Sequence, residues 1–196
     1  MQRVRPILNA DDYPHDLATD EQRNQLARTF SRYEAHAKTW VGGYAGTPTV
    51  LSSWAQTFNV PRFGEILLDY ADLVINELPW ARDMKLRELA ILTIYARQRC
   101  DFGYRAHLGP AAAAGITGEQ IAELPVYRTS DAFGEEERDV IEFTHAALDG
   151  YVSDELFEKL RARYGEQQMV EMTVAVSFWA LWGVLINTFQ PDYVPA

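Results

Sequence analysis

The apolar positions of this chain recur every three or four residues, and no stretch shows the strict alternation of a half-buried strand. Thr19-Asp20-Glu21-Gln22 has the form of a capping box, in which side chains satisfy the unpaired N–H groups of a helix start, and Leu26, Phe30, Tyr33 and Ala37 follow at helical spacing. Gly42, Gly43, Gly46 and Pro48 form a loop, and a short helix is expected over Val50 to Phe58. Asn59-Val60-Pro61 opens a longer helix with Leu67, Ala71, Val74, Ile75 and Leu78 on its apolar face, and Pro79 stops it.

The second half repeats this punctuation. A helix starts near Asp83 and carries Leu86, Leu89, Ala90, Thr93, Ile94 and Arg97 to a turn at Cys100-Asp101-Phe102-Gly103. The next passes through Ala111 to Ala114 and stops at Gly115, where glycine takes a left-handed conformation without steric penalty. Thr117-Gly118-Glu119-Gln120 is a second capping box, opening a short helix that ends at Pro125. Helices are expected over Glu135 to Asp149 and Asp154 to Tyr164, closed by Gly150 and Gly165, and a last one runs from Glu166 to about Phe189. The pattern predicts an all-α fold of about eight helices with a central helical hairpin. Residues 1–48 read as an N-terminal helix and loop extension, and 49–196 as the helical domain.

Met172 to Phe189 is an 18-residue stretch without a charge. It contains Thr173, Ser177, Asn187 and Thr188, and no Lys or Arg follows to anchor an end, so a core or oligomer-interface helix is expected rather than a membrane span.

Composition narrows the function classes. With 196 residues and 47% hydrophobic content the chain has enough apolar side chains for a packed core, which excludes a disordered chain. A net charge of -10 opposes nucleic-acid binding. Between Arg82 and His107, however, Arg82, Lys85, Arg87, Arg97, Arg99 and Arg105 outweigh Asp83, Glu88 and Asp101, giving +3 against -13 for the remainder. Such a local field suits a small anionic substrate. The single cysteine, Cys100, excludes an intramolecular disulfide and a multi-cysteine zinc site. The N-terminal residues have no apolar leader, so a cytoplasmic protein is expected.

The same window holds the candidate chemistry. Glu88 shares a helix face with Ile91, Leu92 and Tyr95, so its carboxyl group is desolvated, as general acids and bases commonly are. The alternative is a structural glutamate paired with Arg87 or Arg82. Cys100 precedes a helix whose positive end, with Arg97, Arg99 and Arg105, favours a thiolate, while Asp101 opposes it; the alternative is a buried, inert thiol. His107 falls on the same face as Cys100, about 10 Å further along the axis. Gly103 and Tyr104 lie between them, and the missing side chain at Gly103 suggests a gap for water or substrate. An antiparallel hairpin brings Glu88 level with His107. The expectation is therefore a small cavity shared by Glu88, Cys100 and His107 as catalytic residues, with Arg97, Gly103 and Tyr104 binding substrate.

Other signals are weaker. His145 lies on an acidic helix and is expected to be solvated, and His36 has no identifiable partner in the sequence. Glu135-Glu136-Glu137 suits the positive end of a helix. Metal, nucleotide and serine-hydrolase motifs are absent, and no cofactor is expected.

Arg87-Glu88-Leu89-Ala90-Ile91-Leu92, then Cys100-Asp101-Phe102-Gly103-Tyr104-Arg105-Ala106-His107, then Ala114-Gly115-Ile116-Thr117-Gly118-Glu119-Gln120-Ile121, resembles the carboxymuconolactone decarboxylase and alkylhydroperoxidase D-like family. The resemblance is clearest over Pro61 to Leu124 and looser to Phe189. It implies a helical bundle assembled as a homo-oligomer, a trimer or hexamer, acting on a small anionic or peroxide substrate without nucleic acid or membrane. Peroxidase members carry Glu, Cys-x-x-Cys and His, which correspond to Glu88, Cys100, position 103 and His107. Gly103 replaces the second cysteine, so the intramolecular dithiol cycle cannot operate, and a one-cysteine cycle needs an external thiol or Cys100 of another subunit. The decarboxylase branch implies proton transfer on a carboxylated lactone, with Glu88 as base and His107 as acid or relay. Three readings stay open: acid–base, lyase-type chemistry on a small aromatic-derived anion; a thiol-dependent peroxidase; and a non-catalytic ligand-binding oligomer.

Overall fold

Capping and glycine punctuation set the helix boundaries in the computed structural model, which describes residues 2–14, 19–37 and 52–192. The helices are α1 (Asp20–Ala37), α2 (Pro61–Asp72), α3 (Met84–Arg97), α4 (Asp101–Ala113), α5 (Gly118–Glu123), α6 (Glu135–Leu148) and α7 (Asp154–Phe189), the last broken at Gly165 into two segments. Strands are absent among the described residues, so the fold is all-α. The expected loop at Gly42 to Pro48, the start of the short helix at Val50 and the side chain of His36 lie outside the described residues.

The chain divides into two compact units. One contains the described residues up to Asn76 together with the chain from Leu185. In it the Thr19 hydroxyl accepts the Gln22 N–H at 3.2 Å and the Gln22 side chain accepts the Thr19 N–H at 3.0 Å, closing the expected capping box of α1. Leu26 and Tyr33 of α1 are buried, as are Leu67, Leu68 and Ala71 of α2. Phe30 packs edge-on to Phe58 at 4.7 Å between ring centroids. Past Asp72 the helix widens to a π-helical turn over Leu73–Glu77.

The other unit runs from Glu77 to Val184 and holds all the candidate site residues. Asp83 caps α3 by accepting the Leu86 N–H at 3.0 Å. Every residue of α3 from Leu86 to Tyr95 is buried, which makes it the central helix, and α4 and α6 both pack against it. Leu89 and Leu92 of α3 join Ala111, Ile116, Leu124, Tyr127, Phe133 and Ile141 in one apolar core. The first segment of α7 is tied to α6 by Asp139, whose carboxylate takes Lys159 Nζ at 2.8 Å and Arg163 Nη1 at 3.0 Å. Buried Glu171 accepts the Trp80 N–H at 2.8 Å and the Gln167 side-chain N–H at 2.8 Å. The most apolar 18-residue window of α7, with mean hydropathy 1.8, is 56% buried, as in a core helix.

Three helices of this unit end in the same way. The N–H three residues past the helix bonds back five positions and the one before it bonds back three: Cys100 to Tyr95 O and Arg99 to Ala96 O, Ile116 to Ala111 O and Gly115 to Ala112 O, Tyr151 to Ala146 O and Gly150 to Ala147 O. The turn residue is left-handed in each case, with φ of 53° at Arg99, 86° at Gly115 and 81° at Gly150. Gly165 differs, because its φ of 78° with ψ of 168° lies in a region open essentially only to glycine. Gly165→Ala is expected to destabilise the protein by about 1–3 kcal/mol, read as a lower urea midpoint with unchanged slope.

Candidate functional site: a buried carboxylate–histidine pair beside a cavity

The α3–α4 hairpin brings Glu88 and His107 together. Glu88 Oε2 lies 2.8 Å from His107 Nδ1, with the Glu88 side chain 2% exposed and that of His107 15%. Arg87 stands on the other carboxylate oxygen, its Nε 3.5 Å from Glu88 Oε1, and its Nη1 donates to Ala81 O at 3.1 Å. A carboxylate this buried needs opposite charge and hydrogen-bond donors around it, and Arg87 and His107 supply both. Burial lowers the Arg87 pKa from its usual value, and the adjacent Glu88 opposes that shift. The catalytic and the structural readings of Glu88 thus describe one network: it is paired with Arg87 and it also holds His107. When Nδ1–H is the donor to Glu88, the basic lone pair of the neutral imidazole sits on Nε2.

Cys100 does not share a cavity with this pair. It is buried at the start of α4 and lines a cavity of about 580 Å³ with Thr93, Tyr95, Arg97, Tyr104 and His145, among others. Neither Glu88 nor His107 lines it. The dividing wall is Tyr95, which lines the cavity and whose ring centroid is 5.5 Å from that of His107.

Two expectations about this turn are corrected by its packing. The first concerns Gly103, which opens no gap for substrate. A Cβ built there would lie 2.7 Å from Tyr95 Cε1 and 2.8 Å from its Cδ1 and Cζ, so the ring already fills the space. The second concerns the thiolate. Burial raises the Cys100 thiol above its ordinary value, and Asp101 adds to that, so the bond with the Gly103 backbone and the helix start are outweighed.

Of the remaining candidates, Arg97 and Tyr104 both line the cavity, and Arg97 is ion-paired with Asp149 of the turn after α6. His145 is not solvated as expected. It is half-buried on the cavity wall and stacked on Tyr127, with 5.4 Å between centroids and 18° between planes. Burial lowers its pKa, with Arg128 and Arg97 acting in the same direction against Glu142 and Asp149. Tyr127 is itself held by Glu142, which Arg128 clamps with two contacts of 2.8 Å. Tyr95 and His145 are the residues that sequence reasoning missed. The only signal for Tyr95 was its place on the apolar face of Glu88, and nothing local marked His145.

The unit from Glu77 to Val184 is thus an all-α domain with a central buried helix, a hairpin carrying a carboxylate–histidine pair and a cysteine at the turn. Residues 61–146 match the model described as the carboxymuconolactone decarboxylase family, and the chain carries a domain of that family. No curated protein and no solved structure matches the chain.

The fit of Tyr95 over Gly103 sets a test. Gly103→Cys, which restores the Cys-x-x-Cys spacing, is expected to cost about 1–3 kcal/mol in urea denaturation because the new Cβ overpacks against the ring. It is also expected to give no peroxide consumption with a dithiol reductant. A stable, peroxide-consuming variant would contradict this packing.

Proposed function

We propose that the protein is an enzyme of acid–base, lyase type acting on a small anionic, aromatic-derived compound at the partly exposed His107, with the neighbouring cavity behind Tyr95 as an anion site. The observation that carries this reading is the 2.8 Å contact between Glu88 and His107, with the carboxylate almost wholly buried and the histidine partly exposed. Glu88 fixes the orientation of the ring, and His107 gives or takes the proton. Tyr95 and Tyr104 offer aromatic surface, and Arg97 and Arg99 place positive charge on the cavity wall. His145, its pKa lowered, adds a neutral ring to that surface at pH 7.

Two observations favour this reading over thiol chemistry: the raised pKa of Cys100 disfavours a reactive thiolate, and Tyr95 occupies the place a resolving cysteine would need. Cys100 is then a cavity-wall residue. The test uses a panel of small carboxylated lactones, with turnover read as release of carbon dioxide. Glu88→Gln and His107→Ala are each expected to lower kcat by about 10²–10⁴-fold, while Cys100→Ser retains most of it. Unchanged turnover in the Glu88 and His107 variants, or its abolition in Cys100→Ser, would contradict the assignment.

A further inference from the structure

The turn between α3 and α4 breaks a rule that the other two turns of its kind obey. Gly115 and Gly150 occupy the left-handed position after α4 and α6, where an L-residue brings its Cβ close to the following carbonyl oxygen and glycine does not. After α3 the same position holds Arg99, with φ of 53°. Its immediate neighbour Cys100 closes the turn through a 2.8 Å bond to Tyr95 O, so the left-handed backbone is fixed by the helix end itself. Strain of this sort persists where the surrounding structure enforces it, and it concentrates at ligand sites.

Arg99 is one of the residues lining the cavity, where a glycine would bring no charge. The other cation on the wall, Arg97, is engaged by Asp149. The carboxylate on the wall, Asp101, is paired with Arg105 at 3.4 Å. Among the described residues Arg99 has no ion pair, and it is exposed at the rim, with Tyr95, Tyr104, Leu124, Pro125 and His145 supplying a largely apolar and aromatic interior. A ligand that fits is a planar ring for the interior joined to one carboxylate for the rim. Guanidinium is the side chain best shaped to take a carboxylate with two parallel hydrogen bonds.

We propose that Arg99 is the carboxylate-binding residue of this cavity, kept in a left-handed turn at the expense of fold stability so that a guanidinium stands over an aromatic-lined pocket. This deepens the reading of the cavity as an anion site but does not require that Glu88 and His107 perform chemistry.

The test measures binding and stability on the same full-length variants, with benzoate as the probe and benzamide as its uncharged counterpart. Arg99→Gly is expected to weaken benzoate about 10–100-fold, the loss of a charge-assisted pair, and to leave benzamide binding within twofold of wild type. The same variant is expected to melt at or above the wild-type temperature, because glycine relieves the turn. Arg99→Lys, which keeps the charge without the planar fork, is expected to bind benzoate with intermediate affinity. The proposal is overturned if Arg99→Gly binds benzoate like wild type, if benzoate and benzamide lose affinity equally, if the loss accompanies a lower melting temperature, or if wild type fails to bind millimolar benzoate. A failure of the acid–base reading would appear instead as unchanged turnover in Glu88→Gln and His107→Ala, with the benzoate result unaffected.

Discussion

A carboxylate that is 2% exposed, on a helix buried from Leu86 to Tyr95, is the constraint around which the unit from Glu77 to Val184 is organised. Such a group is tolerated only with compensating charge and donors in fixed places. Arg87 supplies the charge from the same helix, and its own burial is relieved by a bond to Ala81 O. His107 supplies the second contact from α4, so the hairpin must close in one register for Glu88 to be satisfied. Removing either partner leaves a buried charge uncompensated, which ties the stability of the hairpin to the integrity of the pair.

Tyr95 then sets the boundary between this pair and the cavity. Seated over Gly103, its ring contacts His107 on one side and forms the cavity wall on the other, which separates the Glu88–His107 pair from Cys100. The absence of a side chain at Gly103 is therefore a packing requirement. A cysteine at position 103 and this tyrosine compete for one space, and in this chain the tyrosine occupies it. The cysteine that remains is buried, with its thiol raised, as part of a wall that also carries aromatic rings, two arginines, Leu124 and Pro125.

The helices were legible because their signals are local. The capping residues Thr19, Asp83 and Thr117 and the turn glycines Gly115 and Gly150 act on their own neighbours, and the structure places them as their chemistry requires. The pairing of Glu88 with His107 was legible too, because an antiparallel hairpin fixes the level at which residues on its two arms meet. The shape of the cavity was not. Whether Gly103 leaves a gap depends on which ring from α3 leans over it, and whether His145 is solvated depends on a stack with Tyr127 from the preceding turn. Both are consequences of tertiary packing with no periodic trace in the chain. Arg99 was visible as a charge, but its left-handed backbone appears only when its turn is set beside those of Gly115 and Gly150.

The central claim is that Glu88 holds His107 with Nδ1–H directed at the carboxylate. Nitrogen-15 NMR of the histidine rings reads this directly, with His107 assigned by its loss in His107→Ala. The expected result is that neutral His107 is the Nδ1–H tautomer, with a downfield ring proton that disappears in Glu88→Gln. A His107 found as the Nε2–H tautomer, or a ring spectrum indifferent to Glu88→Gln, would contradict the account.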